Sequence, residues 1–509
     1  MIETATDYKS LYEESVQLHE EYVKKFDQEI ITLRYEIANL KRLIFGSKSE
    51  SFIPQNVPST QLSLDIQAEA VATCSVIKAQ KIEYTRQQVE IKKNHPGRTP
   101  LPEHLERREI IIEPAQKVEG CKKIGDEITE ELEYEPGKLF VNRYVRPKYV
   151  MADNSEIIIA PMMDRPLPKA IVGAGLLAQI IIDKYVDHLP LYRQEQRFKR
   201  EGVNIPYSTI SDWIKNGCVL LDPLGEALKK IVISSDYLHA DETPLKVLDK
   251  NKKARPNGSS GRGTTHRGFY WVYHNSIDNL VWFDYREGRG REGPNEILKD
   301  FKGYLQTDGY NVYDIFKENN EITVLHCMAH ARRKFFEAKE NNPSVAEYAL
   351  EQIGLLYAIE RKAKEQQLTA DEIFELRQIE ALPVLQSLGK WMKETYITSL
   401  PKSTIGKALG YSIERWPELM IYASDGKLNI DNNPVENSIR PVAIGRKNYL
   451  FAGSHEEAQR SAMLYSFLGT CKLSNINPFI WLQDVLRRIS NHPINKIEEL
   501  LPQNWKPVL

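Results

Sequence analysis

The segment 231–340 constrains the fold most strongly, because short apolar runs alternate there with amphipathic stretches in a fixed order. Runs rich in β-branched and aromatic residues predict strands, and runs with a 3.6-residue period predict helices. The predicted elements are strands at 237–247, 268–274 and 280–286, a helix at 292–301, a strand at 304–307, a short helix at 312–317, a strand at 322–327 and a helix at 328–340. The order βββαβαβα is typical of a ribonuclease-H-like fold, whose last strands are parallel and joined by right-handed crossovers.

Two aspartates follow apolar runs on strands that are neighbours in this predicted sheet. Asp241 comes after the run 237–240, and Asp308 comes after the run 303–307. The first strand is central in such a fold and the fourth lies parallel beside it, so we expect both carboxylates at one edge of the sheet. A third acid, Glu436, lies in Asn-Asn-Pro-Val-Glu-Asn, a pattern that predicts the start of a helix.

Three carboxylates in this arrangement predict a site for two divalent cations. Mg²⁺ prefers oxygen ligands and usually takes one or two carboxylates together with substrate phosphate. A metal pair about 3.5–4 Å apart activates the attacking oxygen and stabilises the leaving oxygen of a phosphodiester. We therefore predict that Asp241, Asp308 and Glu436 bind two Mg²⁺ ions, or Mn²⁺ in their place, and catalyse phosphodiester chemistry.

Each acid also has a purely structural explanation. Asp308-Gly309 is a common turn dipeptide, and Asp241 would serve equally as a polar strand end. If Asn433 is the N-cap and Pro434 the first helical residue, Glu436 occupies the third helical position, where a capping box forms. The sequence alone leaves capping and metal binding open for Glu436.

Basic and imidazole side chains lie close to the acids in the chain and are candidates for binding DNA phosphates. They are His239, His330, Arg332, Arg333, Arg440, Arg446 and Lys447. Arg98, between two prolines, has the extended context that suits a narrow minor groove, although an interdomain loop explains it as well. Arg440 has an alternative as the helical partner of Glu436 four residues earlier. A zinc site at His326 and His330 is not favoured, because His326 is expected to end a strand.

Residues 8–45 carry a heptad repeat that predicts a parallel two-stranded coiled coil. Position a holds β-branched residues and position d holds leucines at its C-terminal end, and glutamates at g face basic residues at e. The alternative is one amphipathic helix packed on its own protein. We predict a homodimer or higher oligomer through this segment, so a peptide of residues 1–45 should sediment as a dimer.

The whole chain has 509 residues, which is long enough for several domains. A turn at Gly202 between helical patterns indicates a helix-turn-helix with Ser208 as N-cap, or a plain helical hairpin. We divide the chain into a coiled-coil helix at 1–50, a linker at 51–107, a small β unit at 108–165, a helical DNA-binding region at 166–230, a catalytic core at 231–340 and 428–450, a helical insertion at 341–427 and a helical C-terminal region at 451–509.

Composition excludes some classes of protein and leaves others open. The 68 basic and 70 acidic residues nearly balance, so any DNA-binding surface must be local. The five cysteines are scattered, which argues against a disulfide framework and suits the reducing cytoplasm. We expect a cytoplasmic protein without a signal peptide or a membrane span, because the N-terminus lacks the pattern of a leader and apolar runs of about 18 residues are absent.

The motifs together resemble those of transposases of the insertion-sequence 66 (IS66) family, along nearly the whole chain. The most specific are His239-Ala240-Asp241-Glu242-Thr243, Thr307-Asp308-Gly309-Tyr310, His330-Ala331-Arg332-Arg333-Lys334-Phe335, Asn432-Asn433-Pro434-Val435-Glu436-Asn437 and Ser466-Phe467-Leu468-Gly469-Thr470-Cys471. The resemblance implies a Mg²⁺-dependent DDE transposase, with Asp241, Asp308 and Glu436 as the metal-binding acids. Its partners would be double-stranded DNA, as terminal inverted repeats and as target.

One departure from the family concerns zinc. The family usually has a cysteine-rich zinc module before Glu131, whereas this chain keeps only Cys121 there. A single thiolate is too few ligands for structural zinc, so we predict that the β unit folds without metal. Two other functions stay open: a non-catalytic DNA-binding regulator derived from a transposase, and a metal-dependent structure-specific nuclease.

Overall fold

A computed structural model describes residues 101–103, 105–114, 122–135, 137–150, 157–249 and 265–507, together with five positions between 29 and 36. Apart from those five positions, the predicted coiled coil lies outside the described residues. So do residues 51–100 of the predicted linker, with Arg98, and the lone Cys121 of the β unit.

The first sheet has four strands, β1 (Arg107–Ile111), β2 (Lys122–Glu135), β3 (Lys138–Val150) and β4 (Ile157–Ile159). β3 pairs with the other three, antiparallel with β2 and β4 and parallel with β1. Its basic residues are paired across the sheet, Arg143 with Glu109 at 2.5 Å and Lys148 with Glu127 at 3.1 Å. These cations are therefore partly neutralised by neighbouring strands.

Three helices follow, α1 (Ala174–Tyr185), α2 (Leu191–Arg200) and α3 (Tyr207–Ile233). Gly202, with φ +79°, makes the expected turn between α2 and α3. However, α3 is 27 residues long, not the short second helix of a helix-turn-helix. It begins directly after Pro206, and no described side chain caps it, so the prediction of Ser208 as N-cap is wrong. The helix continues because apolar residues on one face stay buried in the core as far as Val232.

The second sheet has five strands, β5 (Tyr237–Leu248), β6 (Thr265–Asn275), β7 (Leu280–Arg286), β8 (Gly303–Thr307) and β9 (Ile322–His326). Their order is β7-β6-β5-β8-β9. β5, β6 and β7 are antiparallel, whereas β5, β8 and β9 are parallel. The five predicted strands are confirmed to within a few residues at their ends, and β5 is central as expected.

Shorter elements connect these strands, namely α4 (Glu292–Ile297), a 3₁₀ helix (Asn311–Glu318) and α5 (Met328–Glu337). α4 ends before the predicted position 301, because the chain turns at Leu298, whose carbonyl accepts from the amide of Phe301 at 3.1 Å. Buried side chains of this sheet belong to one hydrophobic core that extends to the first sheet and to the helices α1, α2 and α3.

The segment between β9 and Glu436 is helical, as predicted. It contains α6 (Pro343–Glu365), α7 (Ala370–Leu376), a π-helical turn (Arg377–Ala381), α8 (Leu382–Thr398), α9 (Thr404–Glu414), α10 (Trp416–Met420) and a 3₁₀ turn (Ile421–Ser424). The buried guanidinium of Arg377 makes a bidentate ion pair with Glu360, at 2.9 and 2.7 Å. It also donates to three main-chain carbonyls between 422 and 428, at 2.7–2.8 Å. One side chain thus fixes the chain that leads to Glu436.

Three longer helices complete the fold, α11 (Asn433–Asn448), α12 (His455–Leu473) and α13 (Pro478–Arg488), followed by two short 3₁₀ helices. α12 lies along the outer edge of β7. The hydroxyls of Ser466 and Thr470 accept from the main-chain N–H groups of Phe283 and Val281, at 2.8 and 3.3 Å. Gly469 permits this approach, because an added Cβ would lie 2.7 Å from Val281 Cγ1. None of the helices that the structure describes is both long and apolar enough to cross a membrane.

Candidate functional site

The register of β5 and β8 sets Asp241 level with Asp308. Their parallel pairing runs from Tyr237 to His239 on β5, with His239 opposite Gln306. Two further residues along each strand bring Asp241 and Asp308 to the same level. Asp241 lies within its strand, as the predicted range 237–247 implies, and not at a strand end, since β5 continues to Leu248 through its pairing with β6. The pairing with β8 ends earlier, at His239, so Asp241 lies just beyond the last residue that pairs with β8.

The loop that carries Asp308 is held by the helical insertion. Asp308 Oδ1 accepts from the amide of Tyr310 at 2.8 Å, and Gly309 between them has φ +86°. The Tyr411 hydroxyl, from α9, donates to the carbonyl of Asp308 at 3.0 Å. Arg415, just after α9, donates to the carbonyl of Gly309 at 3.2 Å. Sequence reasoning missed both supporting residues, because they lie about a hundred positions away and belong to no local pattern.

Glu436 is not a capping residue in this structure. α11 begins at Asn433, which makes Glu436 its fourth residue, one position beyond the capping box. Its amide donates to the carbonyl of Asn432 at 3.2 Å, as the first turn of a helix requires. No described side chain caps this end of α11. The geometry of this helix start therefore does not support the alternative role of Glu436 as a capping-box residue.

Asn432, which is fully buried, ties the start of α11 to β5 beside Asp241. Its Nδ2 donates to the carbonyl of Ala240 at 3.0 Å, and its Oδ1 lies 2.8 Å from Nδ1 of His239. Its main-chain N–H donates to Cys327 Sγ at 3.1 Å. These bonds explain the first asparagine of the Asn-Asn-Pro motif: it positions the helix that carries Glu436.

His239 is completely buried, in contrast to the solvent-facing position that phosphate binding needs. Its Nε2 lies 3.1 Å from Nδ2 of Asn429, and its Nδ1 contacts Asn432, so both ring nitrogens are engaged. Burial lowers the pKa of His239 to about 3, with a smaller effect of His274. A neutral imidazole that donates to Asn432 and accepts from Asn429 satisfies both contacts. In this structure His239 positions the site and offers no nitrogen to a phosphate.

The three acids share one electrostatic environment. Burial raises the pKa of Asp241 well above its usual value, and the negative charges of Asp308, Glu242 and Glu436 raise it further. Electrostatic repulsion between carboxylates is relieved by a bound cation. The three acids from β5, β8 and α11 are thus brought into one neighbourhood, although far apart in the chain.

Glu242 and Arg289 belong to this neighbourhood and were missed from the sequence. The Glu242 side chain is only 2% exposed, and its Oε1 accepts from Arg289 Nε at 2.8 Å. The Arg289 guanidinium lies over the ring of Tyr310, 4.0 Å from its centroid. The signal that could have found Glu242 is its place directly after Asp241. Arg289 lies in a polar loop after β7, where sequence gives no comparable signal.

The arginines and the lysine that we predicted to bind DNA phosphates lie in three different environments. Arg332 and Arg333 are exposed on α5 and line a groove of about 610 Å³ together with Arg361 of α6 and the exposed ring of Phe336. Arg440 and Lys447 are exposed on α11. Arg446 is half-buried on another side of α11, where it donates to the carbonyl of Pro244 and borders a separate tyrosine-rich cavity.

The two histidines after β9 have different environments. His326 ends β9, as predicted, and its Nδ1 lies 3.1 Å from the hydroxyl of Thr307. His330 is half-buried on α5, and its Nδ1 has no hydrogen-bond partner among the described residues. Ligand atoms of His330, Cys327 and Glu436 lie within 4.8 Å of one another. His330 thus faces the start of α11 and shares no site with His326.

The sequence matches known families along most of its length. The profile described as Transposase IS66 family matches residues 169–460. The profile described as IS66 C-terminal element matches 466–503, and the one described as Transposase C of IS166 homeodomain matches 32–110.

Relatives occur in Sinorhizobium fredii (strain NBRC 101917 / NGR234). The protein printed as Uncharacterized protein y4hP is 30% identical over 94% of this chain and 89% of its own length. Uncharacterized protein y4jD is 31% identical over 95% of this chain and 96% of its own. Among solved structures, a pre-cleavage Mos1 transpososome covers 52% of this chain and 82% of that chain at 12% identity, but its TM-score of 0.13 is too low to support an argument about the fold.

The resemblance that the sequence motifs indicated is therefore confirmed by comparison. The first profile covers more than half of the chain and includes Asp241, Asp308 and Glu436. A relative above 30% identity aligns with almost the entire length. The chain belongs to the IS66 family of transposases.

Proposed function

We propose that this protein is a DDE transposase with a ribonuclease-H-like catalytic core. It cleaves DNA at the ends of its element and transfers the freed 3′-hydroxyl strands to target DNA. The observation that supports this most strongly is the strand register that sets Asp241 level with Asp308, together with the Asn432–Ala240 hydrogen bond that ties the helix of Glu436 to β5 beside Asp241. The strand order β7-β6-β5-β8-β9, with Asp241 on the central strand, supports the proposed core.

The donor set fits a pair of Mg²⁺ or Mn²⁺ ions. All three proposed ligands are carboxylates, the donors that such hard ions prefer. The nearby Arg289 is already paired with Glu242, so it leaves the repulsion among Asp241, Asp308 and Glu436 largely uncompensated. Bound metal would supply activation of the attacking water or 3′-hydroxyl and neutralisation of the developing charge.

The other residues hold these acids in position and offer contacts for DNA. Tyr411 and Arg415 hold the Asp308 loop, and Asn432 holds the helix of Glu436. A fixed geometry matters because misplacement of a reacting group by about 1 Å can cost about 10²-fold in rate. We expect the exposed arginines of α5, which line a groove, to contact DNA phosphates and so to position the duplex without reading its sequence.

Joining of DNA ends tests this function directly. The full chain should join oligonucleotides that carry the element's terminal repeats to a plasmid in the presence of Mg²⁺, and EDTA should abolish the reaction. Cutting without joining would favour a structure-specific nuclease. Binding of the repeats with neither reaction would favour a regulator derived from a transposase.

Gly309→Ala should reduce the joining rate by about tenfold or more. At φ +86°, an L-residue costs about 1–2 kcal/mol, and the added Cβ would lie 2.8 Å from Arg415 Nε. Relief of both problems requires the turn to move and to displace Asp308, and 1.4 kcal/mol in the barrier is a factor of ten. The measurement is the initial rate of joining under Mg²⁺.

Gly125→Ala is the matched control for this change. It lies in β2 of the first sheet, where an added Cβ meets no atom within 4 Å and φ is not positive. Its joining rate should equal that of the unchanged protein. Equal rates in both variants would show that the Asp308 turn does not need glycine.

A further inference from the structure

Two helix starts meet close to the proposed catalytic acids. Cys327 directly precedes α5, and His330 is the third residue of that helix. These are the two positions whose side chains approach each other in a capping box, so the spacing brings thiol and imidazole together. Cys327 lies against the start of α11, since its Sγ accepts from the amide of Asn432 at 3.1 Å. A bond of 3.1 Å from the amide of Met328 to the carbonyl of Ile430 joins the same two segments.

Glu436 reaches the same point from the first turn of α11. One sulfur, one imidazole nitrogen and one carboxylate oxygen, from Cys327, His330 and Glu436, all lie within 4.8 Å of one another. The Nδ1 atom of His330 is buried and has no partner among the described residues. The imidazole of His330 therefore keeps one ring nitrogen without a partner among the described residues.

We propose that Cys327, His330 and Glu436 form a binding site for Zn²⁺, distinct in chemistry from the site for Mg²⁺. Thiolate and imidazole are ligands that Zn²⁺ prefers, whereas Mg²⁺ prefers oxygen. Zinc binds these donors at about 2.0–2.3 Å, so the three atoms need to approach to roughly 3.3–3.8 Å from one another. His330 and Glu436 are only half-buried, and small rotations of their side chains provide this movement. Binding releases the thiol proton of Cys327 to solvent as the sulfur becomes a thiolate ligand.

Zinc in this site would inhibit the enzyme, and this consequence rests on the proposed function. Glu436 serves both sites, so a Zn²⁺ ion held by Cys327 and His330 withholds that carboxylate from Mg²⁺. The inhibition needs the thiol as a ligand, whereas the proposed Mg²⁺ site consists of three carboxylates. Because Cys327 also accepts from the amide of Asn432, Zn²⁺ inhibition is expressed as a fraction of each protein's own joining rate without Zn²⁺.

Cadmium provides a test that is independent of activity, because a Cd²⁺–thiolate bond gives an ultraviolet charge-transfer band. The full chain with Cys74→Ser and Cys121→Ser should show this band on addition of Cd²⁺, and Cys327→Ser should remove it. Cys471→Ser, which changes a buried free cysteine of α12, is the matched control and should keep it. His330→Asn should keep the thiol and weaken Zn²⁺ binding at least about tenfold by calorimetry, since changes to a metal's partners cost about 10–100-fold. An unchanged band in Cys327→Ser, or an unchanged Zn²⁺ affinity in His330→Asn, would overturn the site.

Inhibition of joining distinguishes this site from the proposed function. With Mg²⁺ in excess, Zn²⁺ should inhibit the unchanged protein at least about tenfold more strongly than the Cys327→Ser variant, in line with the loss of one ligand. Equal inhibition of both proteins would overturn the inhibitory role. If the protein shows a cadmium band that depends on Cys327 but cannot join DNA, the metal site stands and the transposase proposal is rejected.

Discussion

Asp241→Asn should abolish joining of DNA ends, with a loss of about 10³-fold or more. The asparagine keeps the shape of the side chain but removes the charge that a metal ion needs, and a bound metal contributes several kcal/mol of transition-state stabilisation. Asp308→Asn and Glu436→Gln should have the same effect. Because the three acids act as one unit, any pair of these changes should cost little more than one alone. The measurement is joining of labelled terminal repeats, with binding of the same DNA measured in parallel.

Asp284→Asn is the control for these variants. Asp284 is a largely buried aspartate of β7 in the same sheet, where it pairs with Arg286 at 2.6 Å rather than with the proposed metal ligands. It should retain joining, and all four variants should retain DNA binding. An active Asp241→Asn, Asp308→Asn or Glu436→Gln protein would remove that acid from the proposed metal site.

Arg377→Met should destabilise the insertion by about 3–5 kcal/mol. The change keeps the aliphatic stem but leaves Glu360 unpaired and removes donors from three main-chain carbonyls, and breaking one partner of a buried ion pair has a cost of this size. A chain of several structural units need not unfold in one step, so a local measurement is required. Hydrogen exchange of amides at 422–428 reports the opening free energy of this segment.

Lys362→Met is the matched control, because Lys362 makes an ion pair with Glu380 at the surface of the same insertion. Exposed pairs contribute about 1 kcal/mol or less, so exchange at 422–428 should hardly change. Similar protection in both variants would show that Arg377 does not fix this segment. We also expect Arg377→Met to slow joining, since the segment leads directly to the helix of Glu436.

The strands of the second sheet could be predicted because their patterns are local and strong. β5 and β7 are apolar runs of strand length, and the parallel placement of Asp241 and Asp308 followed from their order alone. The C-terminal end of α3 was harder to predict, because polar residues interrupt the apolar pattern in the sequence. The apolar residues on one face of the helix nevertheless stay buried to its end. Ser208 failed as N-cap because Pro206 is the N-cap and the helix begins at Tyr207, which makes Ser208 the second helical residue.

The contacts that hold the acids in place were not predictable in the same way. Tyr411 and Asn432 each donate a side-chain hydrogen bond to a distant main-chain carbonyl, and no periodicity or spacing in the sequence encodes such bonds. His239 shows the converse problem. Its place two residues before Asp241 suggested a contact with substrate, and only the packing around it shows that the ring is enclosed and bonded on both sides.

The hydroxyls of Ser466 and Thr470 have a consequence for how copies of this protein associate. The unpaired main-chain N–H and C=O groups of an edge strand can pair with a strand of a second chain, and this is a common route to aggregation. Here the outward amides of Val281 and Phe283 already have acceptors from α12. A second copy therefore cannot extend the sheet along this part of β7, and β9 is left as the other edge strand at which the sheet could be extended.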